Sequence, residues 1–239
     1  MKTIGILGGM GWESTAVYYR ILNQEVRKRL GGFHSAHIVL ESFDFTELTE
    51  PQERDDWQTV EKLLCEGAKR LQDAGADFWL MACNTVHRVS DALEEQLDIP
   101  LLHIADAAGQ ALSARGIQRV GLLGTRHTMQ GEFYGIRLQR LFDIETRVPD
   151  EEAQKRIHSL ILNELVHGVV SPEGRKTLDQ IGEALAAEGS EATLLACTEL
   201  GLLYDDSETR GEPVGAGMPP IFDTSLLHAA AAVDLALST

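Results

Sequence analysis

Short apolar runs alternate with longer amphipathic segments along this 239-residue chain. Such alternation predicts parallel strands joined by crossover helices, and therefore an α/β fold. The clearest predicted helices span residues 14–30, with Ser14 as the N-cap, and 56–74, which Gly75 ends. The predicted strands span residues 3–7, 37–42, 77–82, 100–103, 119–123, 193–196 and 220–222.

The ends of these strands match in pairs between the two halves of the chain. GILGG from residue 5 resembles GLLGT from residue 121, ACNT from residue 82 resembles ACTE from residue 196, and PLLH from residue 100 resembles PIFD from residue 220. Short matches also arise by chance in α/β proteins, but three landmarks in one order favour a duplicated unit. We therefore predict two similar parallel-sheet lobes, residues 1–103 with a C-terminal helix at about 225–239, and residues 104–224.

Two cysteines occupy matched strand ends in this duplicated pattern. Open α/β sheets bind ligands at the carboxyl ends of their strands. Cys83 and Cys197 are thus expected to face one another across a cleft between the lobes. Cys65 lies instead inside an amphipathic helical segment, where a cysteine is expected to serve as a small buried hydrophobe.

Opposed thiols suit the chemistry of racemisation. A racemase removes a proton from one face of a carbon and returns a proton to the other face, and two acid–base groups do this without moving. A thiol pKa of about 8.5 can be lowered towards neutrality by helix N-termini and hydrogen-bond donors. Each cysteine follows a strand and precedes a predicted helix, which favours the thiolate.

The alternative is that both cysteines are structural, since free cysteine is among the most buried residue types. That interpretation would be preferred for either cysteine alone. The pairing at matched strand ends, each followed by polar residues, favours the functional interpretation.

Composition narrows the classes of partner. The chain has 37 acidic and 21 basic side chains, giving a net charge of −16, which disfavours binding to nucleic acid. The same field repels an acidic substrate at long range, so local donors would have to hold one. No apolar run reaches the roughly 18 residues that span a membrane, and no signal peptide is evident, so we expect a cytoplasmic protein with reduced cysteines.

Five motifs stand out along the chain: the opening GGMGWEST from residue 8, CNTVH from residue 83, LGT from residue 123, CTELG from residue 197 and FDT from residue 222. Together they resemble the aspartate/glutamate racemase family. The resemblance covers essentially the whole chain. It implies two α/β lobes related by a pseudo-twofold axis, an active site between them, no cofactor and no metal, and frequent homodimerisation.

The resemblance also implies roles for single residues. Cys83 and Cys197 are the acid–base pair for a small acidic amino-acid substrate. The remaining candidate substrate contacts are Met10, Gln52, Asn84, Thr85, Thr125, Thr198 and Glu164.

The proposed contacts differ in what they would hold. Asn84, Thr85 and Thr198 are expected at the α-carboxylate, and Glu164 either binds the substrate ammonium or is simply solvated. Some relatives place an arginine where this chain offers Gln52 and Arg54. A neutral Gln52 would bind the side-chain carboxylate of the substrate less tightly than an arginine would. The substrate range would then be wider. His87 and Glu199 are expected to orient the thiols or cap the following helices.

Other functions remain open to the same sequence. A related acid could undergo decarboxylation or cis–trans isomerisation on this fold. A non-catalytic small-molecule binding protein could retain the cleft without turnover. A dinucleotide cofactor is disfavoured, because the glycines at residues 8–11 do not satisfy the Gly-x-Gly-x-x-Gly pattern.

Overall fold

A computed structural model describes residues 1–212 and 219–238. This part of the chain forms two compact units. The first comprises Met1–Ile104 together with the C-terminal residues from His228 onwards, and the second comprises Ala105–Leu227.

In the first unit, three parallel strands of the described chain pair in the order β2-β1-β3. Helix α3 packs on β1 and β2, and an apolar cluster that includes Leu7, Leu64 and Trp79 fills the space between helix and sheet. The elements of this unit are β1 (Ile4–Gly8), α1 (Trp12–Leu30), β2 (Ile38–Ser42), α2 (Phe45–Glu53), α3 (Trp57–Asp73), β3 (Phe78–Met81), a 3-10 helix (Thr85–Val89) and α4 (Ser90–Glu94).

In the second unit, the described strands pair in the parallel order β5-β4-β6-β7. Helices α8 and α9 contribute Ile157, Leu178 and Leu185 to its core. Its elements are α5 (Ile104–Ser113), β4 (Arg119–Gly124), α6 (Arg126–Gln130), α7 (Glu132–Phe142), β5 (Glu145–Arg147), α8 (Glu151–Asn163), a 3-10 helix (Leu165–His167), α9 (Pro172–Ala187), β6 (Ala192–Ala196), a 3-10 helix (Leu200–Leu203) and β7 (Ile221–Asp223). Helix α10 (Thr224–Leu237) begins here and continues into the first unit.

The two units share one strand order, which confirms the predicted α/β fold with similar parallel sheets. β1 is central in the first unit and β4 in the second, and each lies beside the strand that leads to a cysteine. Leu101 forms a parallel bridge to Trp79 on the outer side of β3, which is the position that β7 takes beside β6. The duplicated landmarks of the sequence therefore occupy equivalent places in the two sheets.

Two local predictions were wrong, and one strand was missed. The predicted strand at 100–103 is only an isolated bridge, because α5 begins at Ile104 after two backbone hydrogen bonds to Trp79. The N-cap of α1 is Gly11 rather than Ser14. Strand β5 was not predicted, because its Glu-Thr-Arg sequence lacks an apolar run; it is an edge strand with one exposed and two half-buried residues.

The turn after β1 depends on a glycine at position 9. Gly9 has a φ of +82°, and a Cβ there would overlap the backbone of Phe43. Its N–H donates to Thr15 Oγ1 at 2.8 Å, and Thr15 is itself buried in the first turns of α1. A side chain at position 9 therefore conflicts with both the backbone conformation and the neighbouring chain.

We expect Gly9→Ala to destabilise the first unit more than Gly75→Ala does. Gly75 has a similar φ of +87°, but nothing lies within 4 Å of a Cβ there. Both variants should lose about 1–3 kcal/mol from backbone strain, and Gly9→Ala should lose about 1–3 kcal/mol more from the overlap. Urea denaturation measures both losses. Equal losses for the two variants would show that the Phe43 contact does not constrain the turn.

Candidate active site

Cys83 lies in the turn that follows β3. Ala82 still donates its N–H to Leu7 O of β1 at 2.9 Å, so the cysteine emerges directly from the sheet. Cys83 is half-buried, whereas Asn84 and Thr85 are 2% and 6% exposed. The thiol, the amide and the hydroxyl thus lie in one short turn at the carboxyl edge of the first sheet.

His87 stabilises this turn through hydrogen bonds within the first unit. Its Nδ1 lies 2.8 Å from Cys83 O, and its Nε2 accepts from the Ile104 N–H at 3.4 Å. An N–H group can only donate and a carbonyl can only accept, so the network assigns the imidazole proton to Nδ1. The neutral imidazole therefore donates to the Cys83 carbonyl and fixes the backbone that carries the thiol.

Two further buried histidines, His103 and His228, lie next to His87. The His103 ring lies 4.5 Å from the His87 ring, centroid to centroid. His228 Nε2 lies 2.8 Å from Leu102 O, and Tyr18 Oη lies 2.9 Å from His228 Nδ1. The same reasoning assigns the His228 proton to Nε2. We did not predict roles for His103 and His228; the spacing of His87 four residues after Cys83 was the available signal.

Cys197 lies at the equivalent place in the second unit, directly after β6. It is 7% exposed, and its Sγ–H donates to Glu199 Oε2 at 3.0 Å. The Thr198 hydroxyl donates to the same oxygen at 2.7 Å. Glu199 is itself buried, so it acts as a local acceptor that orients both the thiol and the hydroxyl.

Asp223 supports the Cys197 turn from the end of β7. Burial raises the pKa of Asp223 to about 6, and hydrogen bonds from Ser225 and the Leu226 backbone oppose that shift. A Cβ at Gly201 would overlap Asp223 Oδ2, so the 3-10 helix after Cys197 approaches this carboxyl closely. The sequence marked Asp223 only as part of the family motif FDT. It did not indicate that Asp223 supports the Cys197 turn.

Thr125 lies beside the cysteine of the second unit. Gly124 of β4 pairs with Ala196 of β6, so the residues that follow them emerge at adjacent strand ends. Thr125 is the N-cap of α6, and its Oγ1 accepts from the Thr128 N–H at 3.3 Å. Thr125, Cys197 and Thr198 therefore share one edge of the second sheet.

The other predicted substrate contacts lie outside the two cysteine turns. Met10 is 3% exposed and belongs to the apolar cluster of the first unit. Gln52 is half-buried near the end of α2, and the neighbouring Arg54 is exposed. Glu164 follows α8 rather than a strand, and Ser171 Oγ donates to its Oε2 at 3.1 Å.

The helices that follow the cysteines are both of the 3-10 type and short. They span Thr85–Val89 and Leu200–Leu203. A short helix aligns few peptide dipoles, so the field at each sulfur depends on nearby backbone N–H groups and side chains. Cys65, by contrast, is buried in α3 as expected, and its Sγ–H donates to Gln96 Oε1 at 3.2 Å.

Within residues 1–212 and 219–238, neither a metal-binding cluster nor a membrane-spanning helix is present. No group of three or more His, Cys, Asp or Glu side chains in this part of the chain could hold a metal ion. None of its helices combines the length and the apolar character needed to cross a membrane.

Comparison with known proteins gives consistent matches over the whole chain. A broad-specificity amino-acid racemase of Bacillus subtilis is 24% identical over 246 residues, covering 98% of each chain. A crystal structure of a Yersinia pestis protein, provisionally assigned as an Asp/Glu racemase, shares 41% identity with a TM-score of 0.89 and full coverage of both chains. An aspartate racemase homologue from Pyrococcus horikoshii shares 30% identity with a TM-score of 0.84, again with full coverage.

The family model for Asp/Glu/hydantoin racemases matches residues 7–232. That match spans both sheets and both cysteine turns described above. The chain therefore belongs to the Asp/Glu/hydantoin racemase family and is a racemase enzyme.

Proposed function

We propose that this racemase interconverts the L and D enantiomers of aspartate or glutamate without a cofactor, using Cys83 and Cys197 as its acid–base pair. The observation that carries this proposal is the equivalence of the two turns. Each cysteine follows the strand beside the central strand of its own unit, and each is followed by side chains with hydroxyl or amide groups.

The proposed reaction moves one proton off the α-carbon and another onto it. The thiolate of one cysteine removes the α-proton, and the thiol of the other delivers a proton to the opposite face. The carbon centre gains negative charge between these events, which hydrogen-bond donors stabilise in a site that excludes water. The cysteines exchange roles when the other enantiomer binds, so the protein is unchanged after two opposite turnovers.

Substrate binding in this proposal uses neutral donors near each thiol. Asn84 and Thr85 in the first unit, with Thr125 and Thr198 in the second, hold the α-carboxylate. Glu164 binds the ammonium group and Met10 contacts the substrate. Such local donors are needed because the chain carries a net charge of −16, which opposes the approach of an anion.

Gln52 is the proposed contact to the side-chain carboxylate. A neutral amide holds a carboxylate less strongly than an arginine fork does. The proposed substrate range therefore extends to some neutral amino acids. The broad specificity named for the Bacillus subtilis relative supports testing that range. We further propose that the protein acts as a cytoplasmic homodimer, which light scattering of the purified protein tests for assembly.

The central test is proton NMR in deuterium oxide with each enantiomer of aspartate, glutamate and a panel of neutral amino acids. We expect loss of the α-proton signal and formation of the opposite enantiomer, measured by chiral chromatography, without added cofactor. Release of carbon dioxide would indicate a decarboxylase instead. Binding of a substrate by calorimetry without any α-proton exchange would indicate a binding protein.

Substitution of either proposed catalytic cysteine should abolish racemisation. Because a serine hydroxyl is far less acidic than a thiol, Cys83→Ser and Cys197→Ser should each lower kcat by at least about 100-fold. Cys65→Ser is the matched control, since it retains a donor to Gln96 and lies inside α3. Retention of turnover in both directions by either of the first two variants would exclude the paired-thiol mechanism.

Glu199 is proposed as a positioning residue that acts through Cys197. A carboxylate 3.0 Å from Sγ favours the protonated thiol, so Glu199→Gln should ease its ionisation. We expect the limb of the pH–rate profile that depends on Cys197 ionisation to move to lower pH. Loss of the charged acceptor should also lower kcat by about 10-fold.

The exposed Glu183 of α9 provides the control for this charge change. Glu183→Gln should leave the pH profile and kcat unchanged. If Glu199→Gln lowered kcat without moving the profile, Glu199 would be structural and would not control the thiol proton.

A further inference from the structure

A polar groove of about 460 Å³ lies in the second unit between α6 and α8. Its lining includes Arg126 and Gln130 from α6, with Glu151, Lys155, His158 and Ser159 from α8. The groove contains neither cysteine, and none of the residues proposed to contact the substrate lines it. Its volume lies within the roughly 300–1,000 Å³ of small-molecule sites.

Basic side chains outnumber acidic ones in the lining of this groove. Arg126 and Lys155 both line it, in a chain with 21 basic side chains against 37 acidic ones. Lys155 pairs with Glu151 at 2.7 Å, whereas Arg126 has no ion pair within residues 1–212 and 219–238. Glu151 lines the same groove and offsets the charge of Lys155, so within these residues Arg126 is the basic side chain of the groove whose charge no ion pair offsets.

The pKa of His158 responds to the basic side chains nearby. Burial lowers the pKa of His158, and the nearby charges of Arg126 and His127 lower it further. Its Nδ1 accepts from the Arg126 N–H at 3.4 Å, so the neutral imidazole faces the first turn of α6. An anion in the groove would offset the repulsion from both cations and raise the pKa of His158.

Among the neutral side chains of the lining, Ser159 can donate a hydrogen bond to a ligand. Gln130 Nε2 donates to Gln154 Oε1 at 3.1 Å, and Asn163 Nδ2 donates to Ser159 Oγ at 2.9 Å. The Ser159 oxygen is therefore an acceptor for Asn163, and its own proton is available to donate. A guanidinium, an ammonium and a hydroxyl together form the donor set that binds phosphate or carboxylate oxygens.

We propose that this groove binds a small polyanion whose charge is carried by phosphate or carboxylate groups. The size of the groove limits the ligand to a small molecule. The net charge of −16 disfavours nucleic acid and other long polyanions, for which repulsion grows with length. Arg126 and Lys155 supply the charge that holds the ligand, and Ser159 adds a hydrogen bond.

Calorimetry at low ionic strength tests the site with two probes, pyrophosphate and citrate, measured separately. We expect saturable binding of at least one; pyrophosphate alone would indicate a phosphate ligand and citrate alone a polycarboxylate. Because each substitution removes a charge-assisted hydrogen bond to the anion, Arg126→Gln and Lys155→Gln should each weaken binding by about 10-fold. Binding of neither probe would overturn the proposal.

Two further variants and one spectroscopic measurement locate the bound probe. Arg140→Gln removes an exposed charge from α7, outside the groove, and should change affinity less than about twofold. Glu151→Gln releases Lys155 and should tighten binding. The NMR titration midpoint of His158 should rise when the probe is bound. Equal affinity in the Arg126, Lys155 and Arg140 variants, or an unmoved His158 midpoint, would contradict the assignment.

The groove does not depend on the proposed racemisation. Calorimetry on Cys83→Ser should reproduce the affinity of the wild-type protein, because Cys83 does not line the groove. Loss of probe binding in Cys83→Ser would place the probe at the substrate site and overturn the inference. Failure of racemisation would leave the binding result intact.

Discussion

Parallel pairing of the central strand with the cysteine strand is the constraint on which each unit depends. Leu7 pairs with Met81 in the first unit, and Gly124 pairs with Ala196 in the second. Parallel strands end at the same edge of a sheet, so these registers bring the glycine-rich turn and the cysteine turn of a unit together. A shift of one residue would turn every side chain of the strand to the other face and remove this arrangement.

The two cysteine turns are equivalent in topology but differ in the groups that support them. In the first unit, a neutral His87 donates to Cys83 O and packs against His103. In the second, a carboxylate accepts directly from the Cys197 thiol, and buried Asp223 lies against the following 3-10 helix. The two units thus share the placement of the cysteine strand but differ in the chemistry around each sulfur. Under the proposed mechanism, that difference makes the two thiols chemically distinct.

Electrostatics constrains the chain in a different way from packing. A net charge of −16 opposes every anionic ligand at long range, so binding depends on donors concentrated over a few ångströms. In the proposed substrate site those donors are hydroxyls and amides, whereas the groove of the second unit offers cationic side chains, Arg126 among them. Burial lowers the pKa of His158 in this groove, and the nearby charges of Arg126 and His127 lower it further.

The sequence by itself determined the fold class, the repeated order of strand ends and the two cysteines that follow them. Those features are local, because apolar periodicity sets a strand and the polar residues after it mark its end. Contacts between distant segments required the tertiary structure: His228 reaches Leu102 across 126 residues, and Asp223 meets Gly201. Edge strand β5 and the reduction of 100–103 to a single bridge were likewise decided by neighbouring strands, because β-pairing depends on the partner more than on the segment itself.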